Sequence, residues 1–353
     1  MRLPDFPWDR LSDAKARASA VPGGLVDLSV GTPVDPTPEF IQEALAAAAD
    51  APAYPTTHGT QQLREAISGW EQRILGVAVD AADILPVIGT KEFVAWLPTL
   101  LGLGPGNTVA YPSIAYPTYE IGALIAGCRT THAPEPADVT WLNTPSNPTG
   151  RVMTATQMRE VVDAARSRGQ IVVSDECYIE LAWDAQPVSV LHPDVCGGDH
   201  TSLLSLYSLS KRSNMAGYRF GFAAGDPALI RRLLEVRKHA GMMVPSPVQA
   251  AATAAFGDDE HVERQRQRYR LRREALRPAL EAAGFRIDDS QAGLYLWATR
   301  DEPCWDSVNW LADRGILVAP GDFYGPDGAD HVRVALTATD QAVALAWERL
   351  TGV

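Results

Sequence analysis

The chain is poor in cysteine and in basic residues, and it has no long apolar run. Its four cysteines are far apart and form no Cys-x-x-Cys pair, so the spacing of zinc ribbons and redox motifs is absent. No apolar run reaches the roughly 20 residues of a membrane span, and the first residues lack the apolar segment of a signal peptide. We therefore expect a cytoplasmic protein with reduced thiols, no metal site and no membrane partner.

The charge balance disfavours a nucleic-acid partner. The chain has 31 Lys and Arg against 43 Asp and Glu, a net charge of -12, whereas nucleic-acid binding requires basic surfaces. An anionic small-molecule substrate remains compatible with this balance, because a binding site is local. Of its residues, 46% are hydrophobic and 21% are charged, which is ordinary globular composition. The length of 353 residues indicates two domains.

The first two thirds of the chain alternate predicted strands and helices. We expect strands at 84–88, 107–111, 138–143, 170–174 and 202–207. We expect helices at 38–50, 60–75, 90–103, 115–126 and 154–168. This alternation is typical of an α/β fold, with a mostly parallel central sheet covered by helices on both faces.

The pattern changes after Pro247. Residues 248–283 are nearly all helix formers, followed by short predicted strands at 285–288, 293–298, 316–319 and 331–336 and helices at 305–314 and 340–350. This part predicts a smaller α+β C-terminal domain. We divide the chain into an N-terminal arm or small-domain segment at 1–30, a large domain at 31–260 and a small C-terminal domain at 261–353.

Lys211 and Asp175 carry the strongest chemical signal. Lys211 follows a predicted strand in Ser208-Leu-Ser-Lys211; this run also fits the Ser-x-x-Lys of penicillin-binding proteins, but their other motifs are missing. A lysine in a pocket can form a Schiff base with an aldehyde cofactor. Asp175 ends an apolar predicted strand, where a carboxylate can bind the protonated ring nitrogen that makes pyridoxal phosphate an electron sink.

Four motifs resemble, in order and spacing, those of fold-type I, class I/II aminotransferases. They are Asn143-x-Pro-x-Asn147-Pro-x-Gly150, Asp175-Glu-x-Tyr178, Ser208-x-Ser-Lys211 and Gly217-x-Arg219-x-Gly221. The resemblance covers essentially the whole chain. It implies the α/β fold of these pyridoxal 5′-phosphate (PLP) transferases, with glutamate and 2-oxoglutarate as the usual amino and keto acids. It also implies a homodimer with shared active sites.

The resemblance implies a role for each matching residue. Lys211 would form the Schiff base and move the proton, and Asp175 would pair with the ring nitrogen. The 3′-oxygen would accept hydrogen bonds from Asn147 and Tyr178, which favour its charged form. The phosphate would be bound by Ser208, Arg219, the helix start at Gly89, Thr90 and Lys91, and Tyr54 of the partner subunit, with Ser210 also in the cofactor site.

The remaining site residues would contact the cofactor ring and the substrate. Tyr116 resembles the tyrosine that stacks on the ring, with Tyr111 and Tyr119 as alternatives because the local spacing departs from the family pattern. Arg333 resembles the arginine that binds the substrate α-carboxylate, and the backbone of Gly31 would approach the same group, beside Asn147.

The choice of substrate rests on longer phrases such as Val318-Ala-Pro-Gly-Asp-Phe-Tyr-Gly325. These are similar to an actinobacterial branch assigned as N-succinyl-LL-diaminopimelate aminotransferase, an enzyme of lysine and diaminopimelate biosynthesis. A succinylated substrate needs a second cationic partner, for which Lys91, Arg212, Arg151 and His58 are candidates. The alternatives are an aspartate, acetylornithine or aromatic aminotransferase, or a PLP-dependent carbon–sulfur lyase or decarboxylase.

Overall fold

The computed structural model of the chain describes residues 3–352. Its strands, in chain order, are β1 (Val26–Asp27), β2 (Ile84–Val87), β3 (Thr108–Tyr111), β4 (Arg129–His132), β5 (Val139–Asn143), β6 (Ile171–Asp175), β7 (Leu203–Ser208), β8 (Gly221–Gly225), β9 (Arg286–Asp288), β10 (Tyr295–Thr299), β11 (Ile316–Leu317), β12 (Ala319–Pro320) and β13 (Val332–Ala335).

The helices surround these strands. In chain order they are α1 (Ser12–Ser19), α2 (Glu39–Ala47), α3 (Gln61–Trp70), α4 (Thr90–Leu100), α5 (Thr118–Ala126), α6 (Ala155–Arg166), α7 (Pro193–Cys196), α8 (Leu209–Arg212), α9 (Pro227–Ala240), α10 (Ser246–Phe256), α11 (Glu260–Ala282), α12 (Cys304–Ala312) and α13 (Asp340–Thr351). None of the helices found between residues 3 and 352 is long and apolar enough to cross a membrane.

A seven-stranded sheet forms the centre of the described chain, in the order β2-β8-β7-β6-β5-β3-β4. All of its strands run in one direction except β8, which is antiparallel to both neighbours. Successive residues of a strand point to opposite faces, and Val172 and Val173 of β6 pack into two different apolar clusters. One cluster includes α3, α6 and α10, and the other includes α4, α5 and α9. The predicted α/β class, with helices on both faces, is confirmed.

The C-terminal part forms an antiparallel sheet in the order β12-β13-β10-β9, beside α11, α12 and α13. The N-terminal segment joins this part, because β1 pairs with β11 and one apolar cluster combines residues between Leu11 and Leu28 with residues between Tyr269 and Leu350. The domain boundaries at residues 30 and 260 stay a prediction.

Several elements differ from the sequence-based expectation. Two strands of the large sheet were not predicted: β4 is a polar, mostly exposed edge strand, and β8 is rich in glycine and alanine, which have low β-propensity. The predicted strand at 316–319 is two short strands, β11 and β12, which belong to different sheets. The helical stretch at 248–283 is interrupted between α10 and α11 at Gly257.

Candidate active site

A cavity of about 530 Å³ lies at the carboxyl ends of the parallel strands. Asn143, Asp175 and Ser208 are the last residues of β5, β6 and β7, and all three line the cavity. The register of β5 and β6 places Asn143 opposite Asp175. Ligands of α/β sheets bind at this edge, and the cavity is therefore the candidate active site.

Asp175 is a buried carboxylate with two hydrogen-bond donors. The Tyr119 hydroxyl donates to Oδ2 at 2.9 Å, and the backbone N–H of Cys177 donates to Oδ1 at 3.2 Å. Burial raises the pKa of Asp175, and its hydrogen bonds with Cys177 and Tyr119 partly oppose this rise because they favour the ionised form. A cation bound in the cavity would favour ionisation further, so the site suits a protonated ring nitrogen.

Lys211 extends from α8, the short helix that follows β7. The Ser208 side chain caps this helix by accepting a hydrogen bond from the backbone N–H of Ser210 at 3.1 Å. The Lys211 Nζ donates to the carbonyl oxygen of Gly31. Burial lowers the pKa of Lys211, and the charges of Arg333 and Arg219 act in the same direction. A larger fraction of the amine is therefore neutral and nucleophilic near neutral pH.

One end of the cavity is suited to an anion. Helix α4 begins there with Thr90 and Lys91 and has no capping side chain, so the N–H groups of its first turn can bind a phosphate. Arg219 lies beside this helix start: a Cβ on Gly89 would be only 2.5 Å from its Nη2 atom. Glycine is therefore required for the guanidinium to approach the helix this closely. The Ser208 and Ser210 hydroxyls, 2.9 Å apart, complete this end.

Arg333 enters the cavity from β13 of the small sheet. Its Nη1 donates to Asn147 Oδ1 at 2.9 Å and its Nη2 to the carbonyl oxygen of Ser29 at 2.8 Å. Within residues 3–352 its hydrogen bonds go only to these neutral acceptors, and its buried Nε has no hydrogen-bond partner. A buried guanidinium without a counter-charge is costly, and an entering carboxylate would relieve that cost.

Tyrosine side chains line much of the remaining wall. The Tyr178 and Tyr295 hydroxyls are 3.1 Å apart. Tyr116 also lines the cavity, where burial raises its pKa to about 12. Tyr119 stacks on Trp141 with ring centroids 4.9 Å apart and donates its hydroxyl proton to Asp175, while Tyr111 is outside the lining. These contacts favour Tyr116, of the three alternatives, as the ring that stacks on a ligand.

The cavity brings together all of the predicted site residues except Gly89 and Tyr54. Those that line it are Gly31, Thr90, Lys91, Tyr116, Asn147, Asp175, Tyr178, Ser208, Ser210, Lys211, Arg219 and Arg333. Gly89 directly precedes α4, but its N–H donates to the carbonyl oxygen of Val87 at 2.8 Å, so this N–H is already used. Tyr54 is 95% exposed between α2 and α3, and its role at a partner's site stays a prediction.

Sequence reasoning missed several wall residues. Tyr119 was considered only for ring stacking, although it donates to Asp175. Asn143 begins the first of the four motifs. Its side-chain oxygen positions the Asn147 backbone by accepting a hydrogen bond from the Asn147 N–H at 2.7 Å. Tyr295 and the N-terminal residues Phe6 and Trp8 also line the cavity. No local motif marks these last three, because the fold brings them to the site from distant parts of the chain.

Residues 24–350 match the family model of class I and II aminotransferases. The chain belongs to this family. The aminotransferase is 62% identical over 357 residues to a probable aminotransferase of Mycobacterium tuberculosis, covering 99% of this chain and 85% of the relative. It is 59% identical over 356 residues, 99% of both chains, to the 4-dedimethylamino-4-oxo-anhydrotetracycline transaminase OxyQ of Streptomyces rimosus. Among solved structures, a probable N-succinyldiaminopimelate aminotransferase from Thermus thermophilus has a TM-score of 0.88 and 28% identity, covering 98% of this chain and 100% of that one.

Class I/II aminotransferases use PLP, and the cavity of this aminotransferase fits that cofactor. The buried Asp175 suits the ring nitrogen, and the uncapped start of α4 suits the phosphate. The Lys211 amine, whose pKa is lowered, suits the aldehyde. The buried Arg333 Nε, without a partner among the described residues, leaves a donor for the substrate carboxylate. The enzyme therefore transfers amino groups with PLP.

Proposed function

We propose that this aminotransferase exchanges the amino group between N-succinyl-LL-2,6-diaminopimelate and 2-oxoglutarate, a reaction of lysine and diaminopimelate biosynthesis. The observation that carries the proposal is that, besides Lys211 and Arg219 on the cofactor side, two further cations line the cavity, the buried Arg333 and the exposed Lys91. A succinylated diaminopimelate has an α-carboxylate for the first cation and a distal carboxylate for the second. The Thermus thermophilus structure named above supports the same substrate class.

Lys91 is the only one of the four candidate partners for the distal carboxylate that lines the described cavity. Its Nζ lies 5.8 Å from the Phe6 ring centroid. Arg212 is buried and forms an ion pair with Glu180 at 3.1 Å, so its charge is already compensated. Arg151 and His58 are outside the lining. The distal carboxylate is therefore expected to bind near Lys91.

The other residues of the site are expected to orient the reacting groups. PLP, when bound, supplies the electron sink for the substrate carbanion. The Lys211 Nζ would take the proton from the substrate Cα and deliver it to C4′ of the cofactor, as its lowered pKa permits. Arg333 binds the α-carboxylate and is itself oriented by Asn147. The phenol of Tyr178 and the amide of Asn147 provide donors for the cofactor oxygen.

We also propose a homodimer in which Tyr54 of the partner subunit completes the phosphate site. The 95% exposure of Tyr54 supports this, since a large aromatic side chain with that exposure is available to a second subunit. The four cysteines are free and buried, which is compatible with the cytoplasmic location that we propose.

The substrate proposal is tested by adding amino donors singly to the PLP-loaded enzyme and following its visible spectrum. N-succinyl-LL-diaminopimelate is expected to convert the spectrum faster than glutamate, aspartate, acetylornithine, an aromatic amino acid or cystathionine. 2-Oxoglutarate should then restore the original spectrum. Faster conversion by any other donor overturns the substrate, and release of pyruvate and ammonia from cystathionine would reveal a side reaction.

A variant of Lys91 and a matched control test the role of the second cation. Lys91→Gln keeps the backbone N–H of α4 and should raise the KM for the succinylated substrate roughly ten-fold, the value of one charge-assisted hydrogen bond. It should leave the KM for an aromatic amino donor unchanged, because such a donor has no distal carboxylate. Lys15→Gln, which changes an exposed lysine outside the cavity lining, is the matched control. Equal effects of Lys91→Gln on both substrates would contradict the assignment.

A second candidate is the amination of a polycyclic ketone. The 59% identity to OxyQ over 99% of both chains favours it, and Phe6 and Trp8 provide aromatic surface in the cavity. Such an acceptor has no α-carboxylate, so Arg333→Lys should slow the half-reaction with glutamate but spare the half-reaction with the ketone. A keto-acid acceptor requires Arg333 in both halves, and single-turnover measurements of each half distinguish the two candidates.

A further inference from the structure

Tyr295 lies where the cofactor side and the substrate side of the cavity meet. It is the first residue of β10, buried at 4% exposure, and its hydroxyl is 3.1 Å from that of Tyr178. A Cβ on Gly31 would lie only 2.1 Å from the Tyr295 hydroxyl. The carbonyl oxygen of Gly31 accepts from Lys211 Nζ. The phenol is therefore packed between Tyr178 and the backbone that holds the reactive lysine.

The ring of Tyr295 supports Arg333. The guanidinium carbon of Arg333 is 4.0 Å from the Tyr295 ring centroid, closer than its 5.0 Å to the Tyr324 ring. On the neighbouring strand β13, Ala335 pairs with Tyr295, and Arg333 is two residues away on the same face. A guanidinium over an aromatic face is attracted by the ring quadrupole, so the ring holds Arg333 in place. The Arg333 Nε has no hydrogen-bond partner among the described residues and stays available to a ligand.

The contact between the two hydroxyls has only one arrangement that leaves Tyr178 able to donate into the cavity. A phenol carries one proton. If Tyr178 donates to Tyr295, that proton is used, and none remains for a ligand oxygen. If Tyr295 donates to Tyr178, the Tyr178 proton is free and its hydrogen bond to a ligand is strengthened by polarisation along the chain of bonds.

We propose that Tyr295 is a positioning residue for both the cofactor side and the substrate side of the site. Its hydroxyl donates to Tyr178 and so directs the Tyr178 proton to the 3′-oxygen of PLP. Its ring holds Arg333 in place for the substrate carboxylate. The inference rests on the roles proposed above for Tyr178 and Arg333. It does not depend on which amino acid is the substrate.

Charged and titratable groups face Tyr295 from several elements. Burial raises the pKa of Tyr295, but the charges of Arg333 and Lys211 and the hydrogen bond with Tyr178 together lower it, against a smaller opposing effect of Cys177. The proposed donation from Tyr295 to Tyr178 therefore requires the protonated phenol of Tyr295. Three tyrosines from other parts of the chain also face it, namely Tyr116, Tyr269 and Tyr324. The conservative change Tyr295→Phe leaves all of these groups in place and removes only the hydroxyl.

The first experiment is a pH titration of the visible band of the PLP-loaded protein, without substrate. Donors to the anionic 3′-oxygen favour its charged form and so lower the pH midpoint of this titration. Tyr178→Phe is expected to raise the midpoint by roughly one to two pH units. Tyr295→Phe is expected to raise it by roughly half a unit, because it weakens the Tyr178 donor without removing it.

The second experiment measures the affinity of the loaded protein for glutarate, a dicarboxylate that cannot react. Tyr295→Phe keeps the ring under Arg333 and should leave the dissociation constant unchanged. Tyr295→Leu removes the ring and should weaken glutarate binding roughly five-fold. Tyr324→Phe is the control for both experiments: its hydroxyl is buried without a hydrogen-bond partner among the described residues, so neither value should change.

The outcomes separate the inference from the roles on which it rests. If Tyr178→Phe shifts the midpoint but Tyr295→Phe does not, the hydroxyl role of Tyr295 is overturned and that of Tyr178 stands. If neither variant shifts it, Tyr178 is not the donor and the inference fails with it. If Tyr295→Leu binds glutarate like the unchanged protein, the ring does not position Arg333. A midpoint shift in Tyr324→Phe equal to that in Tyr295→Phe would also overturn the proposal.

Discussion

Removing the Tyr119 hydroxyl should weaken cofactor binding, because this hydroxyl helps to keep Asp175 ionised. It donates to the buried Asp175 Oδ2 at 2.9 Å, and Tyr119→Phe leaves the carboxylate with Cys177 as its remaining hydrogen-bond partner. A hydrogen bond to a charged group contributes about 1.5–3 kcal/mol. Because the bond exists in the free protein too, the affinity should fall by the lower end of this range, roughly ten-fold.

The pH dependence has a definite sign. Burial raises the pKa of Asp175, and a protonated ring nitrogen needs the ionised carboxylate. The contribution of Asp175 to cofactor affinity is therefore fully present above the pKa of its carboxyl group and is lost as the pH falls through that pKa. Tyr119 opposes the rise of this pKa, so in Tyr119→Phe the pKa rises further and the loss begins at a higher pH.

The assay is the binding of pyridoxamine phosphate to the cofactor-free protein, measured by calorimetry over a series of pH values. This form has no aldehyde, so no covalent bond to Lys211 masks the effect. Tyr111→Phe is the matched control, since Tyr111 is a partly buried tyrosine outside the cavity lining. Identical affinities and pH profiles for Tyr119→Phe and the unchanged protein would refute the reasoning.

Three further predictions concern the amine, the phosphate and the second subunit. Lys211→Ala should abolish both the visible band of the loaded protein and turnover, and retained turnover would contradict the role of the amine. Gly89→Ala should weaken PLP binding roughly ten-fold in equilibrium dialysis, because its Cβ would be 2.5 Å from Arg219 Nη2 and would displace that guanidinium, at a φ of +75° that strains alanine; unchanged affinity would show that the close approach of Arg219 to the start of α4 does not contribute to PLP binding. Mixing an inactive Tyr54→Ala variant with an inactive Lys211→Ala variant should restore about a quarter of the activity, since half of the dimers are mixed and each has one intact site; no recovery would argue against a shared site.

The local sequence pattern was sufficient to predict a site residue where one short segment contains both the end of a strand and the reactive side chain. The apolar run before Asp175 predicts a buried parallel strand, and the structure ends β6 at that residue. Lys211 is expected directly after a strand, and the structure ends β7 at Ser208, whose side chain also caps α8. The polar edge strand β4 has no apolar run, and β8 is rich in glycine and alanine, which have low β-propensity, so pairing with neighbouring strands defines both.

The sequence by itself determined the α/β class, the order of the motifs and most of the residues that line the cavity, because each motif pairs a strand end or helix start with its reactive side chain. Only the tertiary structure decided how these residues contact one another. The Tyr119 bond to Asp175, the Tyr295 ring beneath Arg333 and the placement of Lys91 rather than Arg212 in the cavity join segments that are distant in the chain. Such contacts arise from the packing of the sheets and their helices, and no local spacing of residues encodes them.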